Sequence, residues 1–125
     1  MRGLSTGVDL VEIERFTSAY RRYDQRLLHR LFTPTELAEN GLNMASLAAR
    51  FAAKEAASKA LGTGIGHIGW HDIEICRGEA GEPILHLLGA ARRLADEQRL
   101  DTWSISLSHT DNYAIAFVVA ISNQS

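Results

Sequence analysis

Two carboxylates stand in settings that do not favour charge. Asp9 follows Gly7-Val8 in an apolar segment, and Glu55 lies in the middle of a run of alanines. Burying a charge without a partner is costly, so each needs something to pair with. Lys59 comes four residues after Glu55, on the same face of a helix. One reading is an exposed Glu55–Lys59 pair of the common i,i+4 kind. The other brings Asp9 and Glu55 together on a hard divalent cation. Mg2+ takes few protein carboxylates and completes its shell with water and phosphate oxygens, so two such residues are enough. Ser106-Leu107-Ser108-His109 closes an alternating segment just before a turn, which puts His109 either against a ligand phosphate or simply in the turn. The glycines between Gly62 and Gly69 offer backbone N–H groups to a phosphate, or only an exit from a helix. His29, His67, His71 and His86 have no metal-ligand spacing, and GxSxG, P-loop and CxxC patterns are absent.

These residues need elements to hold them. Leu4–Val11 is short and aliphatic and reads as a strand with Asp9 near its end. Glu12–Tyr23 carries Ile13, Phe16, Ala19 and Tyr20 at helical spacing, and residues 25–31 continue as a second helical stretch. Thr33-Pro34-Thr35-Glu36 is a helix start, with Thr33 as N-cap, Pro34 at N1 and Glu36 at N3. Met44–Leu61 is dense in alanine and free of Gly and Pro, which predicts a firm helix that neighbours can approach closely, capped by Gly62. Asp72–Cys76 and Ile84–Leu88 form a hairpin around the turn-forming residues 78–83. Ala90–Arg99 is a helix. Thr102–Ser108 is a half-buried strand, and the apolar run Tyr113–Ile121 is a strand buried on both faces or at an interface. This order predicts an α+β fold, with an antiparallel sheet packed on the long alanine-rich helix and residues 1–125 forming a single domain.

Net charge is -2, which favours neither nucleic acid nor membrane as a partner, and no apolar run reaches the about 18 residues of a membrane span. The lone Cys76 excludes an internal disulfide framework and suits a reducing compartment, so the expected location is cytoplasmic. Charge is unevenly spread. Residues 15–30 hold Arg15, Arg21, Arg22, Arg26 and Arg30 against the single acid Asp24, which reads as a docking stripe for an acidic partner or as an ordinary solvated face.

Three segments together resemble one family. Gly7-Val8-Asp9-Leu10-Val11-Glu12-Ile13-Glu14-Arg15-Phe16 is similar to the first motif of the small holo-acyl-carrier-protein synthases, members of the phosphopantetheinyl transferase superfamily. Arg50-Phe51-Ala52-Ala53-Lys54-Glu55-Ala56-Ala57-Ser58-Lys59-Ala60-Leu61-Gly62-Thr63-Gly64-Ile65 is close to their central signature, the most specific of the three. Ser106-Leu107-Ser108-His109 with Tyr113-Ala114 resembles their C-terminal segment.

The resemblance implies transfer of 4'-phosphopantetheine from coenzyme A to a serine of an apo-acyl carrier protein by a homotrimer with active sites between subunits. It implies Asp9 and Glu55 as Mg2+ ligands, Glu55 and Lys59 as catalytic groups, and Lys59 against the pyrophosphate. It places Arg50, Gly62, Gly64 and His109 about coenzyme A, with His109 coming from the neighbouring subunit. Arg15, extended by Arg22 and Arg26, is expected to dock the carrier. Two departures stand out. Leu31–Ala49 has no Lys or Arg where the family often has basic residues for the 3'-phosphate of coenzyme A, so recognition of that phosphate falls to Arg50, His109 or another arginine, or is weaker. Gly81-Glu82-Pro83 replaces a usual Gly-Lys-Pro. Rival readings are a non-catalytic carrier-binding module, against which the presence of Asp9, Glu55 and Lys59 argues, and another Mg2+-dependent nucleotide-binding enzyme.

Overall fold

Alanine explains the architecture. The computed structural model describes residues 3–123. In it the helix Met44–Leu61 (α3) runs through the middle, with Ala48, Ala52, Ala53, Ala56, Ala57 and Ala60 all fully buried. A methyl on every side lets other elements lie close to the helix axis from several directions. The closest approach is by β1 (Leu4–Glu12), at Gly7. A Cβ added there would stand 1.8 Å from the Ala56 carbonyl oxygen, so only glycine fits. One turn further along α3, the Ser5 hydroxyl donates to the Ala60 carbonyl.

β1 pairs antiparallel with β5 (Tyr113–Ile121), which pairs antiparallel with β4 (Thr102–His109), giving the order β1-β5-β4. The inner face of this sheet, with Ala114, Ala116, Val118 and Ala120 from β5, closes on α3. β2 (Ile73–Arg77) and β3 (Pro83–Leu87) form a separate antiparallel hairpin. The fully buried Ile73 and Ile75 of β2 complete the core beside α3. α4 (Gly89–Glu97) contributes Ala91 and Ala95, and ends two residues before the predicted Arg99, which takes a left-handed φ of 59°.

The predicted break between residues 23 and 25 is present. α1 (Ile13–Leu31) is interrupted at Asp24, whose φ of 55° and ψ of -144° lie outside helical space. α2 (Pro34–Asn40) begins with the expected capping box: Thr33 accepts from the Glu36 amide, and Glu36 accepts from the Thr33 amide. Among the described residues no helix is long and apolar enough to cross a membrane.

Of the two alternatives for β5, burial on both faces and a place at an interface, the first is not met. Within one chain β5 is not buried on both faces. A single helical layer covers the sheet, so side chains alternate in and out, and Tyr113, Ile115, Phe117 and Ile121 point outward. The β1 partners in register, Leu4, Val8 and Leu10, are also exposed.

Candidate active site

The contact at Gly7 sets the site. Asp9 is two residues further along β1, so its side chain faces α3 as Gly7 does. Lys59 reaches across from α3 and donates to an Asp9 carboxylate oxygen and to the Val8 carbonyl, both at 3.1 Å. The exposed Glu55–Lys59 pair is therefore not formed. The ion pair of Lys59 is with Asp9, 50 residues away, rather than with Glu55 on its own helix.

Glu55 and Asp9 line the same cleft, about 680 Å3 in volume, together with Lys59, Glu12 and Arg15. The rest of its wall is apolar, built from Phe16, Leu27, Leu31 and Phe51 among others. Phe16 and Phe51 meet at a tilt, 5.7 Å apart, and Phe51 stacks on Trp70 at 5.2 Å, so aromatic contacts tie α1 to α3 beneath the cleft. Half-burial raises the Glu55 pKa, and the negative charge of Asp9 raises it further, while Lys59 opposes both. That mutual repulsion marks two hard oxygen donors aimed into one space, which suits a hard divalent cation and not a soft one.

Arg50 and His109 are not in this cleft. They line a second pocket of about 370 Å3 with Ser46, Ala49, Arg77, Gly81, Leu107 and Ser108. Arg50 is only 7% exposed, and its Nε is buried without a hydrogen-bond partner. Burial lowers its pKa, and the neighbouring charge of Arg77 lowers it further. Gly62 and Gly64 turn their N–H groups back to carbonyls of α3, at Ser58 and Lys59, as a left-handed C-cap does. Glu82, in the unusual Gly-Glu-Pro, folds into its own hairpin loop and accepts from the Ala80 amide at 3.1 Å. Its carboxylate lies over Gly78, where a Cβ would come within 2.1 Å of it.

The arginine stripe divides between the cleft and the open surface. Arg15 lines the first cleft, while Arg22, stacked over Tyr23 at 5.4 Å, and Arg26 are exposed. Arg21 is paired with Glu14 at 3.1 Å. Sequence reasoning missed Lys54, the neighbour of Glu55. It is fully buried and donates to Glu36 at 2.7 Å, the Ile73 carbonyl at 2.7 Å and the Trp70 carbonyl at 2.9 Å. The second Glu36 oxygen accepts from the Ile75 amide at 2.8 Å. Burial depresses the Lys54 pKa, and Glu36 opposes the shift. The available signal was a lysine facing an otherwise alanine interior.

Comparison with known proteins bears on this arrangement. Residues 5–118 match the family model of the 4'-phosphopantetheinyl transferase superfamily. A holo-acyl-carrier-protein synthase of Herpetosiphon aurantiacus is 47% identical, over 94% of this chain and 98% of that protein. The Helicobacter pylori holo-acyl-carrier-protein synthase in complex with coenzyme A superimposes with a TM-score of 0.84 at 34% identity, covering 92% of this chain and 98% of that one. The Bacillus anthracis synthase, also with coenzyme A, gives 0.78 at 32% identity, covering 95% and 96%.

Proposed function

The chain belongs to the 4'-phosphopantetheinyl transferase superfamily, and from that premise we propose that it moves 4'-phosphopantetheine from coenzyme A to a serine of an apo-acyl carrier protein. The observation that carries this reading is the cleft at the β1–α3 contact, where Asp9, Glu55 and Lys59 converge beside Arg15. The relatives described with coenzyme A support it as the donor here.

In the reaction the serine oxygen forms a bond to the β-phosphorus, and the bond from that phosphorus to the bridging oxygen breaks. Adenosine 3',5'-bisphosphate leaves with the electron pair, and the serine proton passes to a base. Lys59 places a positive charge where the leaving phosphate gains negative charge. Asp9 and Glu55 are the residues that would hold Mg2+, which when bound neutralises and orients the pyrophosphate oxygens. Glu55 is also the carboxylate of the cleft that we take to receive the proton. Arg15, Arg22 and Arg26 steer an acidic carrier to the rim of the cleft.

The exposed apolar sheet face supports a homotrimer. Leu10 is 60% exposed, Val8 51% and Phe117 46%, and a contiguous apolar face of this kind is one that further copies cover. The family resemblance would then bring His109 of one copy towards the cleft of another. A free cysteine, Cys76, whose thiol burial pushes up to about 11, fits the cytoplasm.

The test is mass spectrometry of an apo-carrier incubated with coenzyme A, Mg2+ and the protein. The carrier should gain one phosphopantetheinyl group, and chelation by EDTA should stop the gain until Mg2+ is restored. Asp9→Ala and Glu55→Ala should lose transfer while remaining folded. An unmodified carrier with the wild-type protein would refute the assignment.

A further inference from the structure

A carboxylate that is to hold a metal has to be held itself, and Glu55 has no anchor of its own. Among the described residues its side chain has no hydrogen-bond or ion-pair partner, so where it points depends on where α3 stands. Most buried positions of α3 are alanine, which gives its neighbours little to grip. A long side chain stands directly before Glu55. Lys54 is fully buried, and its three N–H donors meet three acceptors: a Glu36 oxygen at 2.7 Å, the Ile73 carbonyl at 2.7 Å and the Trp70 carbonyl at 2.9 Å. Glu36 in turn accepts from the Thr33 and Ile75 amides. The helix is thereby tied, at one residue, to α2, to the turn at Trp70 and to β2.

The same ammonium reaches the back of the cleft. Trp70, whose carbonyl it holds, stacks on Phe51 of the cleft wall at 5.2 Å. The Phe32 ring, 5.6 Å from the ammonium, meets Phe16 of that wall edge-on at 6.2 Å. Stability alone does not call for a charge here. A buried ion pair replaced by apolar groups of similar volume often leaves a protein as stable or more so, whereas the pair is satisfied at one registration of the helices only.

We propose that Lys54, with Glu36, is a positioning residue for the transfer reaction, setting the register of α3 so that the Glu55 carboxylate meets Asp9 in the cleft. Both side chains are fully buried and touch neither substrate nor metal; they act through Glu55. The proposal rests on the cleft being the reaction site.

The experiment compares the wild type, Lys54→Met, and Lys54→Met combined with Glu36→Gln. The single variant strands a buried carboxylate and is expected to lose much of its stability; the double variant leaves a neutral pair. Urea midpoints, the Mn2+ dissociation constant by electron paramagnetic resonance with coenzyme A present and no carrier, and kcat and KM for transfer are measured. The double variant should regain most of the midpoint that the single variant loses. Its Mn2+ dissociation constant should nonetheless stay raised about tenfold or more and its kcat lowered by a similar factor, as when a residue that orients a metal ligand is removed, with the KM for the carrier little changed. A folded double variant with wild-type Mn2+ binding and kcat would overturn the proposal. So would a double variant that does not fold, because the charge would then serve the fold itself. If the wild type transfers but binds no Mn2+, the metal reading fails, and a lowered kcat in the folded double variant keeps Lys54 as a positioning residue. A wild type that does neither overturns both.

Discussion

Replacing Gly7 with alanine tests whether the strand–helix contact is what builds the active site. The new Cβ would lie 1.8 Å from the Ala56 carbonyl oxygen, 2.8 Å from its carbon and 3.1 Å from the Ala60 nitrogen. A carbon and a carbonyl oxygen approach to about 3.3 Å, so β1 and α3 must separate by roughly 1.5 Å. The obstacle is helix backbone, which cannot swing aside as a side chain does. Overpacking a core costs about 1–3 kcal/mol, and this contact belongs at the upper end. For a chain of this length that lowers Tm by roughly 10 °C. The same displacement carries Asp9 away from Lys59 and Glu55, and a misplacement of about 1 Å can reduce turnover about 100-fold. Thermal unfolding by circular dichroism, with transfer measured well below the variant's Tm, separates the two effects. Gly3→Ala is the control, because nothing lies within 4 Å of its added Cβ. Wild-type Tm and wild-type transfer in Gly7→Ala would refute the reasoning.

Lys54→Met should cost about 3–5 kcal/mol in denaturant unfolding, since it strands the buried Glu36 carboxylate, and a loss below 1 kcal/mol would contradict the role of the pair. Phe117→Glu, on the outer face of the central strand, should convert a trimer to smaller species by light scattering and lower transfer with it; an unchanged mass would show that this face is not the interface. Reversing Arg22 and Arg26, both exposed outside the cleft, to Glu should raise the KM for the carrier several-fold in a salt-sensitive way while moving the KM for coenzyme A little. Because the Glu55 pKa is raised in the metal-free protein, Mg2+ must displace a proton held at higher pH than on a free glutamate, so the Mg2+ concentration needed for half-maximal transfer should rise as pH drops. A Mg2+ requirement that stays flat on the acidic side would argue against ionised Glu55 in the reaction.

The parts of this molecule that were legible in its sequence are those decided by neighbours along the chain. The alanine helix, its Gly62 cap, the Thr33–Glu36 capping box and the interruption near residue 24 all follow from local propensity and capping, and all are present. The partner of Lys59 was not legible. Spacing pointed to Glu55, and only the register of β1 on α3 delivers Asp9 instead. The two hollows were likewise hidden, since Arg50 and Glu55 sit five residues apart on one helix yet face different spaces.

The adjacency of Lys54 and Glu55 connects stability to chemistry. Consecutive residues on a helix point about 100° apart, so one can anchor while the other works. Lys54 fastens α3 to α2 through Glu36, and to the start of β2 through the Trp70 and Ile73 carbonyls. Glu36 in turn holds the Ile75 amide and caps its own helix. On the sheet side, the absent side chain of Gly7 lets β1 seat against Ala56, the residue after Glu55. Helix α3 is therefore fixed on both sides within three consecutive residues, 54 to 56. A carboxylate that must meet a second carboxylate from another element needs its helix located to a fraction of an ångström. An alanine-rich helix with few large knobs would otherwise be free to slide. The buried ion pair and the glycine contact restrain that sliding, which accounts for a fully desolvated lysine in a core where a leucine would stabilise more simply.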